Sequence, residues 1–413
     1  MFKKIYFGWF VLAGGFILIF MGMSARQSFG IFFKPMMEEF QLSRAALSLP
    51  ASLALILYGI SQPIGGLMIN RYGAKKVIAF GSLITTIGVL GMSQISSIWG
   101  IYFFYGFLLG VGGTGNSFVA LTPVLSNWFE HRRGMALSIM SSGTSLGQLC
   151  LIPIFAYLVE MVTWRTALMY IGILFAFTII PISFFIIKDS PSKGSKSSKN
   201  KKEVETKKIP FPYDLPWVEC LHKKPFILLT SSFFTCGFTV TVITVHWIPF
   251  ATDLNFSATT AALAFAVGGG LNTIGTLIVG PLSDKLGRKI PLSMVYAVRS
   301  LGFILFILYK NDFTLWATPL LIGLTWIATV PLTSALTVDF FGSKNVAILF
   351  GLITLSHQLG AGLSAWLCGY IFDITGSYNL AFMLAAYLCI QASVIVYFIN
   401  EKEVLRMRQE AVV

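Results

Sequence analysis

Apolar stretches of about 20 residues recur along the whole chain, and this recurrence limits the fold more than any other feature. A helix of about 20 apolar residues crosses the hydrocarbon core of a bilayer and satisfies its own backbone hydrogen bonds. Six such stretches precede residue 188, at about 6–33, 45–68, 77–95, 98–128, 134–159 and 165–187. Six more follow residue 225, at about 226–251, 258–283, 290–309, 314–337, 346–371 and 379–399. The pattern predicts an all-α membrane protein of twelve transmembrane helices in two bundles, 1–187 and 225–413, the second with a short cytoplasmic tail. Composition supports this: 55% of residues are hydrophobic and 11% charged, whereas a soluble chain carries about 25% charged residues.

The net charge of +13 is not spread as a stripe on a soluble face, so nucleic acid is not expected as a partner. It sits in short segments between apolar runs, the pattern of the cytoplasmic side of a membrane protein. With both termini in the cytoplasm, 24 of the 30 basic residues fall on that side. Ten of these lysines lie in the segment 188–224, whose first part is Lys- and Ser-rich and reads as a solvated linker. Lys3 and Lys4 precede an apolar run too long for a signal peptide, so the first segment is expected to stay as a span. The five cysteines, Cys150, Cys220, Cys236, Cys368 and Cys389, form no CxxC pair. They are expected to be small core residues; neither a metal nor a cofactor is implied.

Shifted by 214 residues, the sequence matches itself without a gap. Pro35 falls on Pro249, Glu39 on Asp253, Ser43 on Ser257, Gly66 on Gly280, Arg71 on Lys285, Gly73 on Gly287 and Lys75 on Lys289. A six-helix repeat of this kind is the mark of transporters built from two related bundles. The matched loops read GLMINRYGAKK from Gly66 and GPLSDKLGRK from Gly280. A glycine at such a helix end lets another helix approach closely, and an Asp in the next turn can pair with bases across the bundle interface.

These loops resemble the signature loop of the major facilitator superfamily, G-x-x-x-D-R-x-G-R-R/K, which follows spans two and eight. Gly280, Asp284, Lys285, Gly287 and Arg288 fit the second copy. Gly66, Arg71 and Gly73 fit the first, with Asn70 where the family has Asp. The segments ARQSFGIFFKPMMEEFQLSRAALSL, VHWIPFATDL, PLTSAL and LSHQLGAGLSAWLCGYIFD resemble the bacterial branch of the monocarboxylate-porter-like family. That resemblance implies a carrier of small organic anions, often with a proton, acting as a monomer in the plasma membrane. One position departs from it. Those porters carry an Arg in span eight, four residues before the signature glycine, and this chain has Thr276 there.

A charge at mid-bilayer costs about 2.5–3.5 kcal/mol on insertion scales, so each one needs a reason. Arg26, His246, Arg299 and His357 are the ionisable candidates inside spans, and all 17 acids lie at helix ends, in loops or in tails. Arg299, without an acid to pair with, invites an anionic substrate, since guanidinium binds carboxylate through two parallel hydrogen bonds. Arg26 and Gln27 lie in a first span, which commonly lines the cavity in the resembled fold. His246 falls where related porters also place a His. His246 and His357 are the candidate proton carriers. Asn116 matches a polar position near the substrate of related porters, and Gln148 and Gln358 add polar lining from spans five and eleven.

The expected function is therefore secondary active transport of a small, monocarboxylate-like organic anion, coupled to protons and working by alternating access. The alternative is efflux of a drug-like or amphiphilic compound, which the loss of arginine at Thr276 favours. Enzymatic activity is not expected: the sequence has no nucleophile–base pair at a useful spacing and no GxxxxGK[ST] phosphate loop.

Overall fold

A computed structural model describes residues 6–129, 132–189, 212–213 and 215–401. Every regular element among them is helical. Eleven helices are long and apolar enough to cross a membrane. In chain order they are α1 (Gly8–Phe40), α2 (Arg44–Tyr72), α3 (Ala74–Met92), α5 (Met135–Met161), α6 (Trp164–Ile186), α7 (Lys224–Asp253), α8 (Ala258–Ser283), α9 (Lys289–Leu308), α10 (Asp312–Gly342), α11 (Ile348–Thr375) and α12 (Asn379–Tyr397). The remaining expected span, α4, is broken. Its apolar helix Ile98–Gly112 stops at the glycine-rich GTGNS, and Phe118–Trp128 resumes after it. Most of the basic linker and the tail after Glu401 lie outside the described residues.

The repeat seen in the sequence recurs in the backbone. Gln41 and Asn255, 214 residues apart, both have positive φ, at 53° and 66°. Each turns the chain into a serine-capped helix. Ser43 Oγ accepts the Ala46 N–H at 3.2 Å, and Ser257 Oγ accepts the Thr260 N–H at 3.0 Å. At the far ends of those helices, Gly73 and Gly287 also have positive φ, at 88° and 76°. A second reason for glycine applies there. A Cβ would stand 2.8 Å from a carboxylate oxygen, of Asp189 at Gly73 and of Glu401 at Gly287. These two acids follow the last helix of their own half and cap the next helix start. Asp189 accepts the Lys75 N–H at 2.7 Å, and Glu401 accepts the Arg288 and Lys289 N–H groups at 2.8 and 3.1 Å. A buried helix start needs such partners for its orphan N–H groups.

The face that carries these loops also carries Tyr6 and Ile399 and is called the terminal face here. At the opposite face the caps cross between the halves. Asp373, at the end of α11, accepts the Arg44 and Ala45 N–H groups at 2.9 and 2.8 Å. Glu160, at the end of α5, accepts the Thr259 N–H at 3.0 Å. Ion pairs reinforce one side. Asp253 bridges to Arg44 at 2.7 Å and to Lys34 at 3.2 Å. The Arg44 guanidinium lies 3.5 Å above the Phe372 ring. Glu39, the repeat partner of Asp253, instead stays in its own half and holds Arg165 at 2.5 Å and the Trp164 indole at 2.7 Å.

Backbones also meet across the halves near that face. A Cβ on Gly30 would lie 3.0 Å from Thr244 O, and Ser52 Oγ donates to Gly362 O at 2.7 Å. Toward the terminal face the halves part. A Cβ added at Gly66, Gly280 or Gly351 would meet nothing within 4 Å. The close helix approach expected at the two signature glycines, Gly66 and Gly280, is therefore absent in this conformation. Asn70, Arg71 and Lys285 are exposed, the side chain of Asp284 lies outside the described residues, and Arg288 turns inward within its own half, onto Asp339 and Ala335 O.

Removing both crossing caps with Asp373→Ala and Glu160→Ala should shift the molecule toward a state open at the opposite face, each cap contributing about 0.5–2 kcal/mol. Spin labels at Glu38 and Thr375 would report it as a new population at longer distance. An unchanged distance distribution would show that the caps do not hold that face shut.

Candidate functional site

Between the halves lies a cavity of about 450 Å³, within the range of small-molecule sites. Its wall draws on both halves. Met23, Arg26, Gln27, Leu55, Tyr58, Tyr105 and Phe118 come from one, and Cys236, Val240, Thr244, Trp326, Val330, His357 and Gln358 from the other. The lining is mostly apolar and, among the described residues, contains neither Asp nor Glu.

Arg26 is the one lining residue with a permanent charge. Its guanidinium carbon stands 3.6 Å above the centre of the Tyr58 ring, a cation–π contact that fixes the plane of the fork. Its other polar contact is weak, from Nη1 to Met23 Sδ at 3.8 Å. The Tyr105 hydroxyl donates to the Arg26 carbonyl at 3.3 Å and braces that turn of α1. Among the described residues no carboxylate comes within ion-pair distance of Arg26. The next residue, Gln27, lines the same wall, with its Oε1 buried and without a hydrogen bond. Gln358 enters from α11, and its Cβ packs on Gly59, beside Tyr58, where a glycine Cβ would stand 2.7 Å away. Arg26, Gln27 and Gln358 are thus three candidates that the fold brings together.

His357 also lines the cavity. Its ring lies 4.9 Å from that of Phe233, and it neighbours the Cys236 thiol. His246, the other candidate proton carrier, does not line it. A carbonyl can only accept, so Nε2–H donates to Ala365 O at 2.8 Å, and Nδ1 accepts from the Tyr378 hydroxyl at 3.0 Å. Both ring nitrogens are occupied, next to the ion pairs of the opposite face.

Arg299 lies behind the wall rather than on it. Nothing of its side chain is exposed. Nη2 donates to Thr325 O at 2.5 Å and to Trp326 O at 3.4 Å, Nε to Thr325 Oγ1 at 3.3 Å, and Nη1 to Thr239 Oγ1 and Cys236 Sγ at 3.2 Å each. These carbonyls are freed where α10 breaks between Trp326 and Thr329. The guanidinium therefore closes a helix break instead of waiting for an anion. Asn116 is buried in the gap of α4, where it accepts from Ser82 Oγ at 2.8 Å. Gln148 joins the halves away from the cavity, with Nε2 donating to Phe265 O at 3.2 Å. Thr276 bonds within its own helix, to Asn272 O at 2.8 Å. The sequence reading missed Tyr58, Cys236 and Trp326 on the wall, and the acids Asp189, Glu401, Asp373 and Glu160. An acid 214 residues from its counterpart, give or take two, was the available signal for those four. Among the described residues no group of three or more His, Cys, Asp or Glu could hold a metal ion.

The sequence profile of the Major Facilitator Superfamily matches residues 15–365. An uncharacterised MFS-type transporter of Bacillus subtilis, YcxA, is 29% identical over 378 residues, covering 90% of each chain. Monocarboxylate transporter 13 of Rattus norvegicus is 24% identical and covers 92% of this chain and 85% of its own. The oxalate:formate antiporter of Oxalobacter formigenes is likewise 24% identical, over 92% of this chain and 88% of its own. A solved bacterial homologue of the human lysosomal transporter Spinster, inward-facing and unoccupied, superimposes with a TM-score of 0.72 over 98% of each chain at 16% identity.

Arg299→Gln should behave as a folding lesion. It strands the Thr325 carbonyl, while that of Trp326 keeps the Thr329 hydroxyl at 3.1 Å, and a buried group left unpaired costs about 1–3 kcal/mol. The melting temperature in detergent should fall, with or without an anion present. A variant that melts like the wild type would overturn the structural role.

Proposed function

The chain belongs to the major facilitator superfamily, and from that premise we propose that it carries a small organic anion of the monocarboxylate kind across the plasma membrane, coupled to protons and by alternating access. The observation that carries the reading is Arg26: a guanidinium on the wall of a cavity that holds no acid. An unpaired charge at that depth is costly, and an anion that arrives to pair with it recovers the cost. A carboxylate also matches the fork in two parallel hydrogen bonds. The names of the relatives point the same way, since several are monocarboxylate transporters and one exchanges oxalate for formate.

His357 is the proton carrier in this proposal. Imidazole is the side chain whose charge changes near neutral pH, and His357 is the one that lines the cavity. Protonation there adds a second positive charge to the site, strengthens anion binding, and ties the two loads together. The cytoplasm lies at the terminal face, which gathers most of the basic residues. The molecule is then open inward, and Asp253, Asp373 and Glu160 hold its outer face shut.

In proteoliposomes with an inward proton gradient, the wild type should accumulate a labelled monocarboxylate such as 3-methylbutanoate. Arg26→Gln should lower that uptake about 10- to 100-fold, the weight of a charge-assisted hydrogen bond. It should leave the melting temperature unchanged, because the protein itself uses the guanidinium for little. His357→Gln should keep exchange of the anion and lose its dependence on the gradient. Uptake in Arg26→Gln equal to wild type would sink the reading. Stabilisation by neutral amphiphiles alone would favour efflux of such compounds, which the apolar lining also suits.

A further inference from the structure

The cavity offers an anion one permanent cation and a large apolar remainder. The cation, Arg26, stands at one side against Tyr58. Most of the remaining wall is apolar, with Leu55 and Phe118 from the same half as Arg26 and Val240, Trp326 and Val330 from the opposite half. We propose that the substrate is a monocarboxylate with a bulky apolar body, aromatic or branched, and that Trp326 is the residue that selects for that body. This rests on the reading that Arg26 holds the carboxylate.

Charge argues against a dicarboxylate. Its second carboxylate would find no second permanent cation on the wall, only His357 when that is protonated, and an unpaired charge among apolar side chains is strongly disfavoured. Size argues against a two- or three-carbon acid. In a cavity of about 450 Å³ it would touch only part of the apolar lining, whereas a larger body makes more contacts. Shape argues for a ring. Tyr58, Tyr105 and Phe118 line one half of the cavity and Trp326 the other, so a flat body between them meets aromatic surface from both halves. Aromatic pairs add to simple burial.

The support behind Trp326 explains what Arg299 does. Trp326 is the last residue of α10 before its break. Its carbonyl receives Arg299 Nη2 at 3.4 Å and that of Thr325 does so at 2.5 Å, and its indole packs on Phe265 with centroids 6.0 Å apart. The break is pinned from behind by a buried guanidinium, so the indole is presented at a fixed place on the wall. Arg299 is a positioning residue for Trp326, one step removed from the anion.

The test measures the affinity of the purified full-length protein for propanoate, 3-phenylpropanoate and succinate by ligand-dependent thermal shift. The expected order is 3-phenylpropanoate tighter than propanoate by about 10-fold or more, with succinate the weakest. Trp326→Ala should reduce the ratio between the first two, and Trp326→Phe should keep most of it, which a merely structural role for the indole would not do. Equal affinities for the two monocarboxylates, or succinate binding as tightly as 3-phenylpropanoate, would overturn the inference while Arg26-dependent binding leaves the anion reading standing. No Arg26-dependent binding of any of the three would remove both.

Discussion

Helix starts must have their N–H groups satisfied, and in an apolar surrounding water is not there to do it. That constraint organises this molecule. Four acids, Asp189, Glu401, Asp373 and Glu160, each lie past or at the end of one helix and cap the start of another. The first two work within a half, and the last two reach across. The same device therefore welds each half into a body and also makes the joint between the bodies. What differs is only which helix end supplies the acid.

The distribution of charge follows from that division. Among the described residues, acids serve at the two faces in caps and in pairs such as Arg44–Asp253, Arg165–Glu39 and Arg288–Asp339. The cavity between the halves is left with a cation that nothing balances. A transporter gains from this arrangement. An acid fixed beside Arg26 would compete with the substrate in every state, whereas the Tyr58 ring steadies the guanidinium without neutralising it. Cation–π contact of this kind orients a charge and leaves its donors free.

Much of the fold was legible from residue patterns, because the features that define it are periodic or repeated. Apolar length gave the spans, and the 214-residue offset carried through to paired positive φ values at Gln41 and Asn255 and at Gly73 and Gly287. The broken α4 was less legible: its glycines read as close packing and bending, yet GTGNS interrupts the helix outright. The site was legible in part. Arg26 and Arg299 look alike in the sequence, each a lone arginine in an apolar run. What separates them is a break in α10, a different helix, whose freed carbonyls claim Arg299. His246 and His357 part for the same reason: Ala365 O and the Tyr378 hydroxyl claim one, and the other lies beside the Cys236 thiol on the cavity wall. Such claims are made by distant segments and leave no local mark. Thr276 was a true departure from the resembled family, but it bonds within its own helix and is not part of the cavity wall.

The two classes of cap also say where the molecule can divide. Asp189 and Glu401 join helices of the same half, so a rocking motion of one half against the other leaves them intact. Asp373, Glu160 and the Asp253 ion pairs join opposite halves, so opening that face must break all of them together. Breaking them frees the Arg44 and Thr259 helix starts and three carboxylates, two of which, Asp373 and Glu160, are already exposed, and water at an opened face can hydrate them all. The closed face is thus held by groups that can be satisfied in either state, by one another when it is shut and by water when it is open. Such a joint can open at modest cost without melting a helix. At the terminal face, Gly66 and Gly280 carry no partner in this state, and their bare backbones offer the surface on which the helices of the other half can close.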